Sequence, residues 1–161
     1  MTNFSRKAYS VASVLLLVEI LAQFYFIAAF AFPAWLAKDN EKSVAAAVKD
    51  SDFFGLLHFI NGVLAIPVTI LVLVGLSFAS RYSWRTTGLT AVLVGLWVLQ
   101  FALALVGFNE LAFVAGLHAV NAVVLVTYAA WTMRRNWAFG RNGQTTSARA
   151  AGSIRTGGQP A

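Results

Sequence analysis

The segments Leu57-His58-Phe59-Ile60-Asn61-Gly62-Val63 and Leu117-His118-Ala119-Val120-Asn121-Ala122-Val123 share the pattern Leu-His-x-x-Asn-x-Val, and they use the only two histidines in the chain. A neutral imidazole is a nitrogen donor suited to iron, copper or zinc, and two imidazoles on facing helices can supply both axial positions of a haem. The neighbours suit that chemistry. Gly62 and Ala122 follow the histidines by four residues, while Gly55 and Ala115 precede them by three. On a helix those offsets fall one turn away on the same face, where small residues let the edge of a macrocycle approach. Asn61 and Asn121, at i+3, are placed to orient the imidazoles or to meet polar groups of a cofactor. Two histidines with no thiolate and no nearby carboxylate would leave a zinc or copper sphere half empty. The chain has no cysteine, which excludes a Cys-x-x-Cys-His attachment site and hence a covalent c-type haem. The reading is a non-covalently held haem with His58 and His118 as its iron ligands. Small residues, His and Asn also serve membrane helices as packing and hydrogen-bonding groups, so a cofactor-free accessory or assembly subunit of a membrane complex is the alternative.

These residues must be positioned by membrane helices. Of 161 residues, 59% are hydrophobic and only 11% charged, which excludes a large soluble catalytic domain and points to lipid as the solvent. Four apolar runs of spanning length occur at about 8–32, 53–80, 86–108 and 111–133. They predict an all-α, four-transmembrane-helix bundle over 1–133, with an outer loop at 33–52 and a basic cytoplasmic tail at 134–161. Within the tail, Asn142–Ala161 has the polar, Gly-rich composition of disorder. Arg6, Lys7, Arg81, Arg85, Arg134 and Arg135 flank one set of helix ends, whereas Asp39, Glu41, Asp50, Asp52 and Glu110 lie near the other. The positive-inside rule then puts both termini in the cytoplasm. The net charge of +6 is topological on this reading, and nucleic acid is not expected as a partner.

Taken in order, the first span carries Glu19 at mid-membrane with Gln23 one turn on, a carboxyl expected to face the bundle and pair with another helix. Pro33 is expected to end that helix. Asp39 or Asn40 would then cap a short amphipathic helix, Glu41–Val48, lying over the outer mouth as a lid or simply as a connector. Helix two is expected to start at Phe53 and to kink at Pro67, with Thr69 or a neighbouring helix satisfying the freed carbonyl. Asn109-Glu110 fits only a tight helical hairpin. Gln23-Phe24 in the first span is echoed by Gln100-Phe101 in the third, so the chain reads as two parallel helical-hairpin repeats. Phe24, Phe54, Phe59 and Phe101 would wall a macrocycle.

The arrangement resembles one four-helix half of haem A synthase, and also small, uncharacterised four-span bacterial membrane proteins. The likeness is carried by the two Leu-His-x-x-Asn segments across roughly Phe53–Met133. It implies histidines of the second and fourth helices as axial ligands of a b-type haem near the outer face of a bacterial plasma membrane. This chain has Gly55 where the synthase carries its catalytic glutamate, and it lacks the outer-loop cysteine pair. The resemblance therefore implies electron transfer rather than hydroxylation, with membrane quinone or a larger redox complex as partner. No residue is assigned a catalytic role, enzymatic activity is left open, and so is homo- or hetero-oligomerisation. A transporter is less well matched, because four helices leave little room for alternating access.

Overall fold

The protein is described by a computed structural model over residues 2–39, 43–107 and 112–139. Every element is helical: α1 (Thr2–Asp39), α2 (Val44–Ile60), a π-helical segment (Asn61–Ala65), α3 (Ile66–Ala79), α4 (Trp84–Gly107) and α5 (Ala112–Arg135). With α2, the π segment and α3 forming one continuous span, four helices are long and apolar enough to cross a membrane. Large apolar side chains stay exposed along all of them, Val18, Leu71, Val98 and Val120 among them, as lipid-facing positions must be.

Helix α1 packs on both halves of the second span and on α5, while α4 packs on α3 and α5. The second and fourth spans, which carry the two histidines, therefore sit diagonally across the bundle. The core of Tyr9, Leu16, Ile20, Ile66, Ile70, Leu73, Leu93, Leu125 and Ala129 fills only the half where Arg6, Lys7, Arg81 and Arg135 gather, here termed the basic end. Toward the opposite, histidine end, beyond the level of Asn121, the buried residues among those described are Ala37 and Ser51, both within the α1–α2 pair. Among the described residues α2 packs chiefly on α1 and the π segment, whereas α3 reaches α4 as well. The two hairpins are joined through the basic half and part toward the histidine end.

Small hydroxyl residues tie the basic half together, as is common where membrane helices meet closely. Thr90 donates to Thr86 O at 3.1 Å, so the Tyr9 hydroxyl is the donor in its 2.9 Å bond to Thr90 Oγ1. Ser77, fully buried, bonds Val74 O at 2.7 Å and Thr87 Oγ1 at 3.2 Å. Tyr9→Phe removes one donor and leaves Thr90 its own bond, so unfolding in detergent should show a loss of about 1 kcal/mol with no change in helix content. Between α3 and α4 the chain closes a Schellman turn: Tyr82 N bonds Ser77 O, Arg81 N bonds Phe78 O, and Arg81 takes φ 52°.

The helix ends differ from the expected ones at three places. Helix α1 continues through Pro33 to Asp39 instead of stopping there. Its last turns are held against α2, where Ala37 is buried and the Ser51 hydroxyl donates to Phe30 O at 3.1 Å. Much of the expected 33–52 loop is therefore helix. Ser43 caps α2 by accepting from Ala46 N, and the helix then runs unbroken from Val44 past Phe53. No separate lid helix lies over the mouth in this stretch, since Ala45–Ala47 are strong helix formers and no breaker precedes Phe53. Asn40, Glu41 and Lys42 lie outside the described residues, as do Asn109-Glu110 and the expected disordered stretch Asn142–Ala161. At the other terminus, Arg134 and Arg135 are the last turn of α5 rather than tail, and residues 136–139 fold back on α1, with Ala138 N donating to Ser10 Oγ at 3.0 Å.

Pro67 distorts its helix, but on its N-terminal side. Proline has no N–H to give, and its ring would strike the carbonyl four residues back. The preceding turn widens into the π segment, in which Ile66 N bonds Asn61 O. In that register the N–H that would reach Gly62 O belongs to residue 67, so this carbonyl lacks a partner within its own helix. The indole of Trp97 on α4 supplies one, donating to Gly62 O at 2.9 Å. A neighbouring helix thus satisfies the freed carbonyl, while Thr69 is used elsewhere.

Candidate functional site

His58 sits on the last turn of α2, one turn before Gly62 and the π segment. Its Nδ1 lies 3.3 Å from the backbone oxygen of Gln23 on α1. His118, on the second turn of α5, places Nδ1 3.0 Å from the backbone oxygen of Gln100 on α4. A carbonyl oxygen only accepts, so each ring carries its proton on Nδ1 and Nε2 is the basic nitrogen. That is the tautomer and the kind of anchor found behind metal-ligating histidines. The two rings are half-buried.

The asparagines repeat the pattern one turn nearer the basic end. Asn61 Nδ2 donates to Glu19 O at 2.8 Å, and Asn121 Nδ2 donates to Leu96 O at 3.0 Å. Glu19 and Leu96 each stand four residues before the glutamine that holds the histidine. In both hairpins a His and an Asn therefore clamp two successive turns of the adjacent helix through its carbonyls. Asn121 also donates to Gln100 Oε1 at 2.7 Å, which turns the Gln100 amide onto His118 Nε2 at 3.1 Å. The asparagines act on helices and on Gln100 rather than on the imidazoles directly.

Glu19 Oε1 accepts from Thr69 Oγ1 at 2.9 Å, the interhelical partner expected for a carboxyl at this depth. Two further oxygens on the same face of α1, Glu19 Oε2 and Gln23 Oε1, are buried without a hydrogen-bond partner. Trp97 stacks on Phe101, ring centroids 5.9 Å apart and planes 13° from parallel, which puts an aromatic wall beside the π segment.

The small residues do a different job from the expected one. A Cβ on Gly62 would stand 2.5 Å from Gln23 Nε2, and one on Gly55 would stand 3.1 Å from the Phe30 ring. Both glycines face α1 and let it approach α2 closely. Ala115 meets Gly107 of α4 in the same way, with a Cβ on Gly107 falling 3.4 Å from Ala115. The space expected for a macrocycle edge at Gly55 and Gly62 is thus taken up by α1, whereas Ala115 stays exposed and Ala122 is half-buried on the His118 face. Sequence reasoning assigned no role to Gln100 or Trp97, and it gave Thr69 the carbonyl freed by Pro67 rather than the Glu19 carboxyl it bonds. The Gln23/Gln100 echo was the available signal, since a glutamine recurring at one depth in two apolar helices demands a polar partner.

Among the described residues no three His, Cys, Asp or Glu side chains converge. Iron held by His58 and His118 would take its remaining ligands from a macrocycle. By its chemistry each Nε2 is a nitrogen donor of the kind such a group takes. On the His118 side, ligation requires the Gln100 amide to turn away.

Fold and site together define a class, a multi-pass helical membrane protein with a paired His–Asn clamp in the half of the bundle where its hairpins part. No protein-family model matches this sequence, and comparison with curated proteins and with solved structures returned no match.

Proposed function

We propose that the protein binds one haem b between its two hairpins, with His58 and His118 as axial ligands, and passes electrons within the membrane. One observation carries the reading. Each histidine, on spans diagonal to one another, is fixed by an Nδ1–H bond to a backbone carbonyl, which leaves both Nε2 atoms basic. The bound haem would supply a one-electron couple. The chain's own residues do the rest: Gln23 and Gln100 carbonyls hold the rings, and Asn61 and Asn121 fix the helices behind them. With both His58 and His118 holding the iron, the group would favour electron transfer over oxygen chemistry, toward membrane quinone or a larger redox complex.

The matched bonds in α1–α2 and α4–α5 support a duplicated-hairpin architecture, with Gln23, His58 and Asn61 corresponding to Gln100, His118 and Asn121. The cations of the basic end support a cytoplasmic location for both termini, and the haem then lies toward the outer face of a bacterial plasma membrane.

A second reading has its own support. Both nitrogens of His118 find partners inside the chain, as do the side-chain amides of Asn61 and Asn121. A network so nearly satisfied can serve purely to lock helices together in a cofactor-free accessory or assembly subunit. Oxidised and dithionite-reduced visible spectra of the detergent-purified protein separate the two. A sharp reduced α-band, with pyridine extraction returning about one b haem per chain, is the expected result. A colourless protein after expression with added haem would overturn the haem reading in favour of the structural one.

A further inference from the structure

At the basic end, remote from the histidines, a cavity of about 190 Å³ opens between the start of α1, the α3–α4 turn and the residues after α5. Arg6, Lys7 and Arg135 line it together with Tyr82, Asn136 and Trp137. Its walls are fixed in place: the Tyr82 hydroxyl donates to Asn136 O at 3.3 Å, and Ala138 N donates to Ser10 Oγ. Among the described residues no carboxylate lines the cavity to neutralise the three cations. The six acids of the chain are Glu19, Asp39, Glu41, Asp50, Asp52 and Glu110, and the first of these is more than three turns up α1 from Lys7.

A second feature meets this cavity. An apolar groove runs along α5, lined by Val123, Val124, Thr127, Tyr128 and Trp131. Val124, Tyr128, Trp131 and Arg135 follow one another at i, i+4, i+7 and i+11, a single stripe of the helix. The Arg135 guanidinium lies over the Trp131 ring, 5.4 Å from its centroid, and the same residue lines the polar cavity. An apolar groove within a membrane span thus ends at an uncompensated trio of cations where the span ends. Tyr82, Trp131 and Trp137 stand there as residues suited to the headgroup level.

We propose that this is a binding site for one anionic phospholipid, its phosphodiester held by Arg6, Lys7 and Arg135 and one acyl chain lying along Val124, Tyr128 and Trp131. A free phosphate would explain the cations but not the groove. An acidic peptide would find the groove inside the bilayer. The site is independent of the histidines and stands whether or not haem binds.

The test is a titration of lipid-depleted, detergent-solubilised protein with phosphatidylglycerol brominated in its acyl chains, which quenches nearby tryptophans, run beside the phosphatidylcholine analogue. Saturable quenching at least tenfold tighter for phosphatidylglycerol is expected. Arg6→Gln, Lys7→Gln and Arg135→Gln should each weaken it about fivefold. Arg6→Lys, which keeps the charge, should weaken it less than Arg6→Gln and so separates lost binding from lost folding. Arg85→Gln and Arg134→Gln, cations of the same end that do not line the cavity, should leave it unchanged. Equal affinity for the two lipids, or equal weakening by the control substitutions, would reduce the site to a diffusely basic face and overturn the proposal. Displacement of the lipid by inorganic phosphate alone, or by an acidic peptide, would overturn the lipid assignment in favour of that ligand.

Discussion

Under the proposed haem assignment, His118→Ala and His58→Ala should each abolish the low-spin reduced spectrum, and the double variant should emerge colourless although still folded in detergent. The two single variants are not expected to be equivalent. Ligation at His118 costs the 3.1 Å bond between its Nε2 and the Gln100 amide, whereas the Nε2 of His58 has no such bond among the described residues. His58 is therefore the stronger anchor, and His58→Ala should lose more haem on dilution than His118→Ala. Gln100→Ala gives the sharper outcome. It deletes the competing amide but keeps the backbone carbonyl that orients His118, and Asn121 retains Leu96 O. Removing one competing hydrogen bond should tighten haem binding about fivefold. If the network is only structural, Gln100→Ala destabilises the protein and no spectral band responds to it. Haem titration of the apoprotein, with unfolding followed in parallel, reads both quantities from one set of variants.

The four spans were legible because each rests on a property local to its own helix, a run of apolar residues. What escaped depends on pairs of helices. Pro33 looks like a stop in isolation, and only burial of Ala37 and Ser51 between α1 and α2 explains why the helix carries on. Gly55 and Gly62 were small for the benefit of α1, and no single-helix pattern distinguishes that from clearance for a cofactor. Gln100 was visible as an echo of Gln23, but its role required knowing that Asn121 would seize its carbonyl and turn its amide toward His118. Pro67 announced a distortion; which carbonyl it would strand, and that Trp97 would answer it, depended on α4 lying alongside.

That last pairing sets up the second large effect. Trp97→Phe keeps a ring to stack on Phe101 but withdraws the donor from Gly62 O. A carbonyl left without a partner where water is scarce carries most of its desolvation cost, so the variant should lose about 2 kcal/mol in unfolding. Pro67→Ala restores an N–H at the position from which an i→i+5 bond to Gly62 O can close within the π segment. In that background the indole becomes redundant, and Trp97→Phe should cost less than about 0.5 kcal/mol. The double-mutant cycle therefore predicts a coupling of about 1.5 kcal/mol between two residues joined only through the carbonyl of a third. Additivity would mean that Gly62 O is satisfied some other way and that Trp97 serves only by its bulk. Strong coupling would place the cause of the π segment in the missing proline N–H. It would also tie the setting of Asn61, the segment's first residue, and of His58 one turn before it, to a hydrogen bond that reaches across to the other hairpin.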